Sequence, residues 1–314
     1  MISRIKKFLK RNSAYINRIP EIEKHLNSHF KSHKVNLGQI QSQLNNQKEK
    51  INNLEEVEFQ VFSQWGDDGI IQYLVNKLDI PNKTFIEFGV EDYRESNTRF
   101  LLYNNSWTGY VIDGDPANVD QIVKDPISWA CELYAECSFI TKENINDLIG
   151  KVGFEKEVGI LSVDIDGNDY WVWKEIDVIN PVIVIAEYNS IFGVNTSWTL
   201  PYNPSFVRTR DHKIIYYGAS LRALCSIATE KGYTFVGCNS KGNNAYFIRN
   251  DKMKPCISAK TPQEGYVRSK FREAQLNGSW VTGADRIKIM EGLDIYDVES
   301  GIIKKIDPSI VKYV

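Results

Sequence analysis

Tyr233-Thr-Phe-Val-Gly237 and Asn244-Ala-Tyr-Phe-Ile-Arg249, joined through Asn239-Ser-Lys-Gly242-Asn, form the stretch that decides the fold. Two apolar runs separated by a short glycine-containing connection read as a β-hairpin, so the final strand runs antiparallel to its neighbour. Upstream, from residue 63, strand-like apolar runs alternate with helical segments, the pattern of a parallel sheet with helices on its faces. The predicted strands are Thr84–Val90, Tyr110–Asp113, Ala130–Ala135, a run ending at Asp164, and Pro181–Glu187. The predicted helices are Asp67–Leu78, Glu95–Tyr103, Asn144–Lys151 and Ser220–Lys231. An ordinary dinucleotide-binding domain would continue with parallel strands where this chain turns back.

Chemistry concentrates at the predicted strand ends. Gly159-Ile-Leu-Ser-Val-Asp164-Ile-Asp166-Gly-Asn-Asp169 runs an apolar strand into three carboxylates and an amide. Open α/β sheets bind ligands beside the carboxyl ends of their strands, and charges buried there need a compensating partner. Glu87-Phe-Gly89 ends the first strand: glycine permits close approach of a ligand, and the carboxylate accepts hydrogen bonds from an amine or hydroxyl. Asp113 ends the second strand, where nucleotide-binding folds place an acid for the ribose hydroxyls. Asp115, in the turn that follows, has turn chemistry as its simpler reading. The long segment Ser190–Gly218 carries Trp198, Pro201, Tyr202, Phe206, Arg208, Arg210 and His212, a mixture suited to stacking on a sugar face and gripping an anion. His212 is the only histidine outside the amino-terminal arm and is a candidate general base, with a surface histidine of no role as the alternative.

A parallel sheet closed by an antiparallel hairpin resembles the class I S-adenosylmethionine-dependent methyltransferase fold. Within it, Val111-Ile-Asp113-Gly-Asp115-Pro116-Ala-Asn118-Val119 resembles the second-strand segment of the FkbM-type methyltransferase family. Val163-Asp164-Ile-Asp166-Gly167-Asn-Asp169 is similar to that family's strand-four motif, and Pro181–Glu187 to its fifth strand. The resemblance spans residues 84–250, and the further glycines of the usual methyltransferase loop are missing after Gly89. It implies S-adenosylmethionine as cofactor, with Glu87, Gly89, Asp113 and Asp164 facing it. It also implies methyl transfer to a hydroxyl of a sugar, a surface-glycan precursor or a related natural product, with Asp164 and His212 as catalytic groups. Some class I O-methyltransferases add a divalent metal held by acids after strands four and five, which lowers the pKa of the acceptor hydroxyl. Asp164 and Asp166 with Glu187 and Asn189 would supply oxygen ligands suited to Mg²⁺. The alternative is that Asp166, Asn168 and Asp169 cap the next helix.

Two other functions stay open. Asp113-Gly-Asp115 and Asp164-Ile-Asp166 both have the DxD form of a metal-dependent glycosyltransferase, and the missing glycines admit a non-catalytic oligomeric scaffold.

Residues 1–60 are polar, rich in lysine and asparagine, and almost free of glycine. Phe30, Leu37, Leu44 and Ile51 recur every seven residues, with Leu26, His33, Ile40, Gln47 and Leu54 at the complementary positions. The spacing predicts a coiled coil and hence a homo-oligomer, or else an amphipathic helix folded onto its own domain. Residues 1–12 interleave Ile2, Ile5, Phe8 and Leu9 with basic residues, as in a segment lying on an anionic membrane surface; a frayed terminus is the plainer reading. A core over 61–250 and a carboxyl-terminal extension over 251–314, with a helix at Gln263–Leu276 and a hairpin across Glu299-Ser-Gly301, complete the expected organisation.

The net charge of −2 excludes a broad basic surface for nucleic acid. Five cysteines without a CxxC pair read as reduced thiols, and no apolar run is long enough to span a bilayer. The expected location is cytoplasmic, with peripheral contact at the inner membrane face through the basic terminus.

Overall fold

The computed structural model describes residues 18–208, 214–271, 274–276 and 278–313. Helix α1 (Ile19–Asn46) leads to α2 (Asp67–Lys77). Then come β1 (Thr84–Phe88), α3 (Arg99–Asn105), β2 (Thr108–Asp113), α4 (Pro116–Lys124), β3 (Leu133–Cys137), α5 (Ile145–Lys151), β4 (Ile160–Val163), α6 (Asp169–Glu175) and β5 (Ile183–Glu187). After the two-residue β6 (Trp198–Thr199) follow α7 (Leu221–Glu230), β7 (Tyr233–Cys238) and β8 (Asn244–Arg249).

Seven strands make one sheet in the order β3-β2-β1-β4-β5-β8-β7. Pairings among β1 to β5 are parallel, and β8 runs antiparallel to both β5 and β7. This is the mostly parallel sheet with a terminal antiparallel hairpin expected of the class I methyltransferase-like fold. Its strands are apolar throughout because both faces are covered: every residue of β4 and β5 is buried. Alternate residues feed two cores. Ile86, Ile112 and Leu161 pack under α5, α6 and α7, whereas Phe85, Val111 and Ile160 pack under α2. The strand order reverses between β1 and β4, so a crevice opens at their carboxyl ends.

Several expectations are corrected. The heptad pattern stops where α1 does, at Asn46; Ile51 bridges to Ile257, and Leu54 packs in the core with Ile70 and Tyr246. Gly38 lies in the second half of α1. It is the site where α1 touches the domain so closely that a Cβ would lie 2.4 Å from Val61 and 2.9 Å from Phe100. Asn45 and Ser42 continue that contact through bonds to Val57 O (2.7 Å) and Gln72 Oε1 (3.2 Å). Among described side chains from 18 to 34, all but the half-buried Lys31 are exposed, so the first half of α1 stands off the domain. The third predicted strand starts three residues later and ends two residues later than expected, and the helix predicted at Glu95 begins at Arg99.

Among the described residues, the helix expected over Gln263–Leu276 is not a continuous one. A single turn at Pro262–Gly265 is followed by a hairpin, β9 (Ala274–Leu276) and β10 (Ser279–Val281). The predicted last hairpin is present as β11 (Asp294–Asp297) and β12 (Ile302–Lys305), and β11 pairs with β6. Trp198, Leu200, Ile215, Ile287 and Met290 close a third core beneath it. Packing therefore continues across residues 60 and 250, and the carboxyl-terminal segment covers the loop that follows β5.

Candidate active site

The crevice at the strand ends is a cavity of about 920 Å³ that takes in the tips of β1, β2, β4 and β5. Eight carboxylates and one basic residue, Arg208, line it among the described residues.

Glu87 lines the cavity, yet its carboxylate is engaged. It accepts the backbone N–H groups of Asn97 (2.9 Å) and Thr98 (3.1 Å) and the Thr98 hydroxyl (2.5 Å). Burial pushes it up to about 7 despite these bonds. Gly89 adopts φ +67°, and a Cβ there would lie 1.7 Å from the carbonyl oxygen of Asp164. Glycine is thus required because β1 and β4 converge, rather than by approach of a ligand. The loop beyond it replaces glycines with strain: Glu91 (φ 48°) and Tyr93 (φ 60°) both take the left-handed region. Tyr93 is fully buried with its hydroxyl 2.9 Å from Thr98 Oγ1, and Asp113 holds the Glu91 N–H.

Asp113 lies at the tip of β2, in the cavity. Its Oδ1 accepts Asp115 N (2.8 Å) and Asn118 Nδ2 (3.1 Å), and its Oδ2 accepts only Glu91 N (2.8 Å). A carboxylate has about four acceptor positions, which leaves one for a ligand hydroxyl. Asp115 caps α4 by accepting Ala117 N at 2.8 Å, its turn reading.

The β4 and β5 tips bring Asp164, Asp166 and Glu187 together, with carboxylate oxygens within 4.8 Å of one another. Burial raises both Asp164 and Glu187 well above the ordinary carboxyl range; the acids at 166 and 169 add to this and Arg208 opposes it. Asp169 is wholly buried and does not line the cavity. It accepts Ile165 N (2.8 Å) and Gly167 N (2.9 Å), bracketing Asp166, which is held left-handed at φ 57°. The helix-cap reading is corrected: the N-cap of α6 is Asn168, which makes no side-chain cap bond, Asp169 holds the turn that precedes the helix, and Asp166 turns toward the cavity and pairs with Arg208.

Asn189 does not join the cluster. Its Nδ2 donates to Ile215 O (2.8 Å) and Tyr217 O (3.0 Å), and its Oδ1 accepts Ile191 N (3.0 Å), so it shapes the loop after β5. Trp198 is also core, with its indole N–H on Asp297. His212 and Arg210 lie outside the described residues, as does the basic segment 1–12. No helix among the described residues is long and apolar enough to cross a membrane.

The sequence did not point to Asn244. The β5–β8 register sets it opposite Glu187, at the cavity edge. Its Nδ2 reaches the buried Asp67 (3.1 Å), while its Oδ1 has no protein partner. Three more buried polar atoms on cavity-lining residues have none: Ser96 Oγ, Asn168 Oδ1 and Glu187 Oε2. Buried polar atoms are normally satisfied, so this set marks where a ligand's polar groups belong. The signal was the hairpin register, which a turn-like Asn-Ser-Lys-Gly-Asn-Asn sequence does not reveal.

No protein-family model matches the sequence, and no curated protein matches it either. Solved structures similar to it include the CurJ carbon methyltransferase (9% identity, TM-score 0.38, covering 59% of this chain and 52% of that one). An O-methyltransferase from Bacillus cereus in complex with SAH is 12% identical (TM-score 0.37, 57% and 76% covered). An S-adenosylmethionine-dependent methyltransferase from Clostridium acetobutylicum is 11% identical (TM-score 0.36, 58% and 90% covered). The chain spans about half the length of the CurJ methyltransferase it resembles.

Proposed function

We propose that this chain is an S-adenosylmethionine-dependent O-methyltransferase acting on a hydroxyl of a sugar or a related precursor. The acidic character of the cavity carries the reading: among the described residues eight carboxyl groups and one arginine line it, which favours a cationic ligand such as a sulfonium bearing an ammonium group. In the first DxD segment Asp115 is committed to the α4 N-terminus, where it accepts Ala117 N.

When bound, S-adenosylmethionine supplies an electrophilic methyl group. Asp113 offers its remaining acceptor position to a ribose hydroxyl, and the strained loop from Gly89 to Tyr93 fixes the cofactor's near wall. Asp164 and Glu187, raised by burial, stand where an acceptor hydroxyl would lose its proton, and a carboxylate of raised pKa is the better base. Asp164, Asp166 and Glu187 also fit a hard divalent cation such as Mg²⁺: all donors are oxygen, they converge, and Glu187 Oε2 lacks a partner. Such an ion would lower the hydroxyl's pKa.

Calorimetric titration tests the reading. S-adenosylhomocysteine should bind; binding of a UDP-sugar with Mn²⁺ in its place would transfer the site to the glycosyltransferases, and binding of neither would leave a scaffold. The exposed apolar stripe of α1 supports a second element of the proposal, assembly with another copy of the chain.

A further inference from the structure

A second cavity, of about 400 Å³, lies on the far side of Phe206 and Val207, which line both it and the reaction cavity. We infer that it is a subsite for a neutral pyranose unit of the acceptor, adjoining the unit whose hydroxyl reaches Asp164. The inference deepens the methyl-transfer reading and rests on it for the direction of the acceptor.

Three observations converge. First, the partition is fixed to the acid cluster. Asn168 Nδ2 donates to Asn203 O (2.8 Å), Arg208 pairs with Asp166, and Phe206 packs so tightly on the Asp166–Gly167 turn that a Cβ at Gly167 would lie 2.4 Å from its ring. A ligand spanning Phe206 would therefore sit at a set distance from Asp164.

Second, the walls are aromatic. Tyr202, Phe206 and Tyr216 line the pocket, with Phe206 and Tyr216 edge to face (6.4 Å, 72°). The Tyr202 hydroxyl donates to Glu143 and that of Tyr216 to the Asp294 carbonyl, so both tyrosines are held in place by their polar ends and offer their rings.

Third, the rim is polar. Asn203, Ser205 and Asp294 line the opening, and no lysine or arginine does among the described residues. A pyranose has an apolar face for the rings and hydroxyl edges for the amide and carboxylate. A planar phenol would leave the rim unused.

The test is saturation-transfer NMR on the full chain with methyl glycosides of glucose, galactose, mannose and N-acetylglucosamine, and phenol as the competing probe. At least one glycoside should receive saturation through the protons of one ring face. Ser205→Trp, at an exposed position, should fill the pocket and abolish the signal; Tyr202→Leu, which keeps apolar volume without a ring, should weaken binding about tenfold. S-adenosylhomocysteine titrated into the same samples separates the two claims. Ser205→Trp should leave its affinity unchanged, and Asp113→Ala should weaken it while the glycoside signal persists. Glycoside binding without S-adenosylhomocysteine binding would keep the subsite and overturn methyl transfer. S-adenosylhomocysteine binding with no glycoside signal, a signal surviving Ser205→Trp, or phenol binding in place of every glycoside would overturn the subsite.

Discussion

Asp113 at the end of β2 accepts the backbone N–H of Glu91 at 2.8 Å, in the middle of the left-handed loop that follows β1. One carboxylate therefore both stakes down a strained loop and faces the cavity. Removing it with Asp113→Ala should weaken S-adenosylhomocysteine at least about tenfold, the worth of one charge-assisted hydrogen bond. Asp113→Asn, which keeps an acceptor for the Glu91 N–H, should retain the loop's protection from hydrogen exchange while still weakening the ligand. An unchanged calorimetric Kd in Asp113→Ala would remove Asp113 from the binding site.

Gly89→Ala should destabilise the fold by about 3 kcal/mol or more, because a left-handed φ and a steric overlap with a backbone carbonyl act together. Urea denaturation measures this directly. A loss below about 1 kcal/mol would mean that the β1 and β4 tips separate easily.

Burial raises three carboxyls into the physiological range: Asp68 to about 6, Glu87 to about 7 and Asp169 to about 6. Each is higher in the folded chain than in the unfolded one, so each contributes stability that is complete below its ordinary value and lost as pH rises through the folded value. The unfolding temperature should therefore fall between pH 5 and pH 8. Glu87→Gln should flatten that slope, and a wild-type midpoint that rises across the interval would contradict the assignment.

Cation binding at Asp164, Asp166 and Glu187 should strengthen with rising pH, because the raised carboxyls at 164 and 187 must release protons to act as ligands. Calorimetry with Mg²⁺ in buffers of different ionisation enthalpy reads the proton release. Asp166→Asn should weaken binding, and activity untouched by exhaustive chelation would eliminate the metal.

Phe30 and Leu37 on α1 are 64% and 66% exposed, with Leu26, Ile40 and Leu44 beside them on one stripe. An isolated helix of this kind is marginal in water, so the half that stands off the domain calls for a partner. Leu26→Lys with Phe30→Lys should reduce the mass seen by light scattering without altering the unfolding temperature of the core. Deleting the arm is the poorer experiment, since Gly38, Ser42 and Asn45 belong to the domain's packing.

Strand identity and the closing hairpin were legible because continuous apolar runs and a glycine turn are local signals. The carboxylates at 87, 113, 164 and 187 were legible for the same reason: each sits at or just past a strand end. Partnership was not legible. That Asn189 would turn to Ile215 and Tyr217, that Asp169 would bracket Asp166, and that Asn244 would face Glu187 depend on register and loop packing between residues far apart in the chain. The heptad count overran α1 because Ile51 and Leu54 are apolar for a different reason, burial in the sheet's own core.

The wall shared by the two cavities separates two kinds of inheritance. The cofactor's side is drawn from β1, β2 and the short loops at their tips, where Gly89, Glu91 and Asp113 constrain one another and tolerate little change. The outer compartment is drawn from residues 200–207 and Tyr216 of the loop after β5 and from Asp294 at the start of β11, and the loop meets the acid cluster through Asn168, Gly167 and Asp166. Change in the outer compartment can therefore proceed through residues 200–207 while the strand-end half of the crevice stays as it is.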